Sequence, residues 1–265
     1  MNRLKTVFLS GLLILFPMIG LYAFERVIIL NSAVSQIAEK LELNGKIVGI
    51  TLKDNTFSGA TKVGSHLRPN IELMKALKPD LVIAGSSKAF SEEMRVRLNT
   101  EVFRYDPQSL EDILRLILKL GTLFQKEDNA ENLVRQLKSR LNTMTDAKTR
   151  VTVIFEVSER ALKLAGKKNI ITSMIETAGG TNLINVNKKH VLISPEKILV
   201  LNPDIYIYQN GPMNKNPTDP LKRNYFQSLK SKVIEVDQLE FTRPGLNTFD
   251  AVLKLNIIFK EFLKS

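Results

Sequence analysis

PNIELMKALKPDLVI (residues 69–83) and SPEKILVLNPDIYI (residues 194–207) are two copies of one unit, set in opposite halves of the chain. Glu72 stands seven residues before Pro79-Asp80, and Glu196 stands seven before Pro203-Asp204. Each copy reads as a short helix followed by a buried strand. Asn70 is placed to cap the first helix. Ser194 is placed to cap the second, with Pro195 at the first helical position, where its missing N–H costs nothing. Glu72 and Glu196 then fall in the first turn, near the positive end of the helix dipole, which is an ordinary place for an acid. Leu77 and Leu201 hold the helices against a sheet, and Pro-Asp turns the chain into the next strand. The same acid at the same place in both halves implies two equivalent lobes, a form suited to a partner with two-fold symmetry.

Working outward, short apolar runs alternate with helical spacing on both sides of the repeat. RVIIL (26–30), IVGI (47–50), LVIAG (81–85) and EVFRY (101–105) read as strands of a first lobe. VTVIFEV (151–157), the strand of the second copy and VIEV (233–236) supply a second. Between them lie apolar stripes such as Val34, Ile37, Ala38 and Leu41, or Leu110, Ile113, Leu114, Ile117 and Leu118. A last amphipathic helix runs over 247–263. The predicted fold class is α/β: two lobes, each a mostly parallel sheet flanked by helices, joined by one long bridging helix. The N-terminal lobe covers 25–126 and the C-terminal lobe 148–265, with the bridging helix at 127–147 between them. That helix carries Ala130, Leu133, Val134, Leu137, Leu141 and Met144 on one stripe, with Asp128 or Asn129 as its N-cap. About 20 helical residues span roughly 30 Å, comparable to a small domain.

Composition narrows the function. The chain has 265 residues, 44% of them hydrophobic, enough for a packed body, and it has no cysteine. Disulfides, thiolate catalysis and cysteine-ligated metal sites are therefore excluded. The net charge of +11 is spread among acids with no Arg/Lys block, so nucleic acid is not the expected partner. It reads as a solvated basic surface or as long-range attraction for an anionic ligand. At the N-terminus, MNRLK and TVFLSGLLILFPMIGL form a basic region and an interrupted apolar stretch before Ala23. Residues 1–23 read as a secretory signal peptide. An uncleaved anchor is the alternative, because Leu21 is not the small residue preferred three places before a cut. With no cysteine to carry a lipid anchor, the expected location of the body is the periplasm.

The repeated unit, RVIILNSAVSQIAEKLELNGKIVGIT (26–51) and IETAGGTNLI (175–184) together resemble the substrate-binding proteins of ABC importers for iron–siderophore, haem and cobalamin. The resemblance covers nearly all of the chain after the signal. It implies two α/β lobes bridged by one helix, a ligand in the cleft between them, and no intrinsic cofactor. The cargo it implies is an iron or cobalt chelate. It also implies that Glu72 and Glu196 dock a monomeric binding protein onto arginines of a permease dimer. The alternative is a secreted α/β enzyme using the same cleft for a nucleotide or metal-dependent reaction. Little in the chain supports it: there is no G-x-G-x-x-G after the first strand, no G-x-x-x-x-G-K-[ST] and no G-x-S-x-G. Gly179-Gly180 closes a helix and does not open one.

Open α/β sheets bind ligands at the carboxyl ends of their strands. On that rule the ligand-binding candidates are His66, Arg68, Lys88, Gln209, Phe241 and Arg243, and His190 joins them through its place in the second copy of the repeat. Arg68, Lys88 and Arg243 suit carboxylates or phosphates on a ligand. With no Trp in the chain, Phe57, Tyr208 and Phe241 are the aromatic candidates, for the core or for the ligand. His66 and His190, the only histidines, each stand six residues before the repeated glutamate. The resemblance places that loop beside the cleft on each side. Two imidazoles there could take axial positions on the metal of a bound chelate, the only metal contact expected; ordinary loop histidines are the alternative.

Overall fold

The computed structural model describes residues 24–144 and 151–264, so the signal-peptide reading of 1–23 lies outside the described residues. The first lobe runs β1 (Val27–Ile29), α1 (Ser32–Lys40), β2 (Ile47–Ile50), β3 (Thr61–Lys62), β4 (Gly64–Ser65), β5 (Arg68–Pro69), α2 (Ile71–Ala76), β6 (Leu81–Ala84), α3 (Glu92–Leu98) and β7 (Glu101–Arg104). Its main sheet has the order β3-β2-β1-β6-β7, and every pairing in it is parallel. Runs such as Val27-Ile28-Ile29 and Leu81-Val82-Ile83 are apolar at every position because helices cover both faces of the sheet. Val27, Ile29, Leu81 and Ile83 enter the main core with Val34 and Ile37 of α1. Ile28, Val82 and Ala84 point the other way, onto Met74 of α2, Leu98 of α3 and Phe90.

Two helices follow, α4 (Leu110–Phe124) and α5 (Glu127–Leu141). Gln125, in the left-handed region at φ 55°, reverses the chain between them. Gly121 of α4 meets Ala130 of α5 so closely that a Cβ on it would lie 2.5 Å from the Ala130 Cβ. Both helices reach from one lobe to the other. The Leu110 amide at the start of α4 donates to Ser173 Oγ in the second lobe at 3.2 Å, while Phe124 at its end packs edge-on against Phe24. Lys126 before α5 pairs with Glu42 of the first lobe, and Arg140 near its end pairs with Asp250 of the second. The crossing is thus shared by two helices. Fifteen residues make α5 about 22 Å long. Lys126 is its N-cap, so Asp128 and Asn129 lie inside the helix, and Asp128 with Glu127 favours the positive dipole end. The part of the bridging-helix prediction at 145–147 lies outside the described residues.

The second lobe runs β8 (Thr152–Ser158), β9 (Lys163–Ala165), α6 (Ile170–Thr177), β10 (Thr181–Asn182), β11 (His190–Leu192), α7 (Pro195–Leu201), β12 (Ile205–Asn210), β13 (Lys232–Asp237), α8 (Gln238–Phe241) and α9 (Asn247–Lys264). The sheet order is β11-β9-β8-β12-β13, with β10 also on β8. β8, β12 and β13 pair in parallel, while β9 runs antiparallel between β8 and β11. Ala178 and Gly179 end α6, as a helix-closing glycine should. The main core passes without a break from β1 and α1 through α4 and α5 to α6, β12 and α9, so the two lobes share one apolar seam. No described helix is long and apolar enough to cross a membrane.

The repeat holds in three dimensions. Asn70 Oδ1 accepts from the Leu73 amide and Ser194 Oγ from the Lys197 amide, capping α2 and α7. Met74 and Ile198, two residues after each glutamate, are the fully buried anchors; Leu77 and Leu201 pack half-buried beside them. The Asp of each Pro-Asp has a definite task. Asp80 accepts the amides of Glu25 and Arg26 at the start of β1, and Asp204 accepts the amide and hydroxyl of Thr152 at the start of β8. Each carboxylate fastens a strand to its parallel neighbour.

Candidate ligand-binding cleft

Two polar contacts join the lobes beyond the end of β7. Tyr105 follows β7, is fully buried, and donates its hydroxyl to the Pro244 carbonyl beyond β13 at 3.2 Å. Burial alone pushes its hydroxyl far above the usual tyrosine range, so it stays protonated as a donor. The Tyr105 carbonyl accepts from Asn31 Nδ2 at the end of β1. Asp106, next along the chain, pairs with Lys189 of the second lobe at 3.1 Å. These contacts set the chain after β1 and β7 opposite the residue before β11 and the loop after α8.

His190 is the histidine that this junction draws in. It opens β11, pairs with Ala165 and is half-buried beside Lys189. Burial, then the charges of Lys189 and Lys163, hold its pKa below the ordinary value of 6.5. The imidazole is therefore neutral at physiological pH, the form that binds metal. His66 differs: it is exposed with Leu67 at the tip of the β4–β5 hairpin. Arg68 on that hairpin and Lys88 in the loop after β6 are also exposed. Arg243 is half-buried after α8, close in sequence to Pro244 at the lobe junction.

Two candidates are withdrawn from the surface. Phe241 is 4% exposed and belongs to the main core, so its ring is a packing element of α8 and not an open ligand contact. Phe57 and Tyr208 are buried as well, which leaves no aromatic wall among the three. Gln209 is fully buried at the end of β12; its Nε2 donates to the Val157 carbonyl at 2.7 Å, and its Oε1 has no partner.

Other features had weaker sequence signals. Arg104 ends β7, reaches the carbonyls of Gly85 and Ser86 at 3.5 Å, and lies over the Phe90 ring. The carboxyl-end rule applied to EVFRY would have found it. Leu52, Leu67, Met213 and Leu239 stand exposed in or beside the loops at these strand ends. Single apolar residues in loops have no periodicity to reveal them. Residues 211–231 are clamped down by Arg223, whose buried guanidinium bonds both Glu156 carboxylate oxygens at 2.6 and 3.0 Å and the Thr218 carbonyl. Tyr206 donates to the same carboxylate at 2.5 Å. Among the described residues, no three His, Asp or Glu gather to hold a bare metal ion.

At the lobe tips, Glu72 is exposed and bonded to Arg97 of α3 at 2.5 Å. Glu196 is fully exposed and has its pKa lowered by the Ser194 hydroxyl and its own backbone amide, so it stays ionised.

Two mostly parallel sheets joined by crossing helices and by polar contacts between the lobes define a bilobed ligand-binding scaffold. The chain belongs to the periplasmic binding protein family, which matches residues 27–227. Among its relatives is the high-affinity heme uptake system protein IsdE of Staphylococcus aureus strain Newman, 26% identical over 194 residues. That match covers 69% of this chain and 65% of the relative's length. The fold is shared with an ABC transporter substrate-binding protein from Listeria monocytogenes EGD-e (19% identity, 88% of this chain and 97% of the other, TM-score 0.78). It is shared also with S. aureus IsdE complexed with heme (24%, 88% and 98%, TM-score 0.77). The vitamin B12 binding protein BtuF of Vibrio cholerae has it too (20%, 91% and 99%, TM-score 0.75).

Proposed function

We propose that this chain is an extracytoplasmic substrate-binding protein that captures a metal chelate in the inter-lobe cleft and delivers it to the permease of an ABC importer. The chelate class is haem, ferric siderophore or cobalamin. The observation that carries the reading is His190, half-buried at the lobe junction and kept neutral by burial and by Lys189 and Lys163. A lone imidazole suits a metal whose other positions are already filled by a chelate, and no described cluster of donors suits a bare ion. The heme and vitamin B12 proteins that share the fold support the same class of cargo. The enzyme alternative gains nothing from a family of binding proteins.

In this reading residues 25–126 and 148–265 act as the two lobes, the helices between them as the connector, and residues 1–23 as the export signal. Arg68, Lys88 and Arg243 flank the cargo. Glu72 and Glu196 dock the monomeric protein onto a permease dimer. Replacing both with Gln should weaken permease binding, most strongly at low salt, and leave cargo affinity unchanged. Loss of cargo binding in that variant would move the acids into the pocket. The cargo itself is tested by the visible spectrum of protein purified without added ligand, followed by titration with haem, cobalamin and a ferric siderophore. Saturable binding of one of them is expected; binding of none overturns the proposal.

A further inference from the structure

Two pairs of lysines, far apart in sequence, are built side by side at the edge of the second lobe. Lys167-Lys168 lies in the loop before α6, and Lys188-Lys189 lies just before β11. Backbone bonds lace the two segments together. The Lys167 amide donates to the Val186 carbonyl at 2.8 Å and the Lys168 amide to the Lys188 carbonyl at 3.2 Å. The Gly166 amide and Asn169 Nδ2 both donate to the Lys189 carbonyl, at 3.2 and 3.1 Å. Gly166 is what permits this approach: a Cβ there would stand 2.3 Å from the Lys188 carbonyl oxygen and 3.0 Å from that of Val186. Asn169 is itself buried and caps α6 through its Oδ1, so the base of the cluster is rigid.

All four lysines are exposed, and like charges held this close repel one another. Only Lys189 has a carboxylate partner among the described residues, and that partner, Asp106, belongs to the other lobe. Lys163 extends the group toward the cleft. It pairs with Leu192 across β9 and β11 while Ala165 pairs with His190, so Lys163 and His190 share one face of the sheet.

We infer that Lys163, Lys167, Lys168 and Lys188 form a cationic wall that binds the ionised carboxylates of a metal chelate whose metal faces His190. The inference rests on the cargo reading above and narrows it to an acidic chelate, a dicarboxylate porphyrin in preference to a corrinoid without free carboxylates. The wall borders His190 and the cross-lobe Asp106–Lys189 pair, so it faces the junction of the two lobes. That location favours cargo over a membrane or a protein partner.

The test compares ferric protoporphyrin, its dimethyl ester and cyanocobalamin as ligands of the full chain, using wild type, K167Q/K168Q/K188Q and K167R/K168R/K188R. Lys189 is left in place to keep its bond to Asp106. The Gln variant should lose roughly tenfold or more in affinity for the diacid, and the loss should shrink as salt screens the wall. Its binding of the dimethyl ester should stay within about twofold of wild type, and the Arg variant should recover the diacid. An unchanged affinity of the Gln variant for the diacid overturns the inference while leaving the cargo reading intact. So does an equal loss for diacid and ester, which marks a structural defect. So does loss of retention on anionic vesicles with porphyrin affinity unchanged, which assigns the wall to a membrane. Preference of wild type for cyanocobalamin over the diacid also overturns it, and a wild type that binds none of the three removes the cargo reading with it.

Discussion

The two copies of the repeated unit agree wherever the backbone is concerned and part company in their chemistry. Asp80 and Asp204 fasten equivalent strands, Asn70 and Ser194 cap equivalent helices, and Met74 and Ile198 fill equivalent holes. The histidines do not correspond in the same way. His66 sits on a two-stranded hairpin that joins no larger sheet, whereas His190 opens a strand of the six-stranded sheet. The glutamates differ as well: Glu72 is held by Arg97, while Glu196 is bonded to its own cap. A repeated spacing thus preserves what the chain needs to fold twice. A side chain that projects from the repeat takes its properties from neighbours that the repeat does not include.

The strongest way to sharpen the contrast between the lobes is through their interiors. Among the described residues, only the second lobe buries a salt bridge, Arg223–Glu156, with side-chain exposures of 2% and 0%. The first lobe secures its long loop with a smaller device. The buried Asp54 accepts from Ser35 Oγ at 2.5 Å and from the Thr56 amide, and the Asp54 carbonyl accepts from Lys62. Arg223→Ala strands a buried carboxylate and should cost about 3–5 kcal/mol in denaturant unfolding. Asp54→Ala removes a hydrogen-bond acceptor from a buried hydroxyl and should cost about 1–3 kcal/mol. Equal losses, or a neutral Arg223→Ala, would show that the clamp over residues 211–231 is not the tighter of the two.

Next in size is the effect on cargo. His190→Ala should weaken binding of the metal chelate at least tenfold, about 1.4 kcal/mol, and alter its visible spectrum. His66→Ala should change affinity less than twofold, about 0.4 kcal/mol. Equal losses at the two positions would restore the symmetric sandwich that the sequence spacing suggests and that the difference in burial speaks against.

Much of the fold was legible in the sequence because it is periodic. Each central strand is an apolar run, each cap is a residue with one preferred job, and the Pro-Asp turns occur in matching places. The pairing of the connector with α4 was not legible, because Gln125 gives no sequence sign of the left-handed turn that folds α4 against α5. The site was legible only in part. Carboxyl-end placement singles out Arg243 and the repeat's offset singles out His190, but neither could tell Phe241, swallowed by the core, from Met213, left exposed one loop away. Loop register decides that, and it depends on contacts such as the Gln238 side chain accepting from the Met213 amide, which no local pattern encodes.

The smallest expected effect separates the two histidines without any ligand. His190 has its folded-state pKa lowered by burial first, then by Lys189 and Lys163. In the unfolded chain it returns to about 6.5. Between the two values the unfolded state binds more protons than the folded one, so stability rises with pH in that window. The contribution of His190 is therefore fully present above the unfolded pKa and fades as pH falls below about 6.5. Because the ring is only half-buried, solvent screening keeps the effect modest. Comparing denaturant midpoints at neutral and mildly acidic pH for wild type, His190→Gln and His66→Gln reads it directly. The acid-induced drop should shrink in His190→Gln and persist in His66→Gln. A drop that survives both substitutions would place the acid sensitivity elsewhere, and one that vanishes with His66 would mean the exposed hairpin, not β11, holds the buried imidazole in solution.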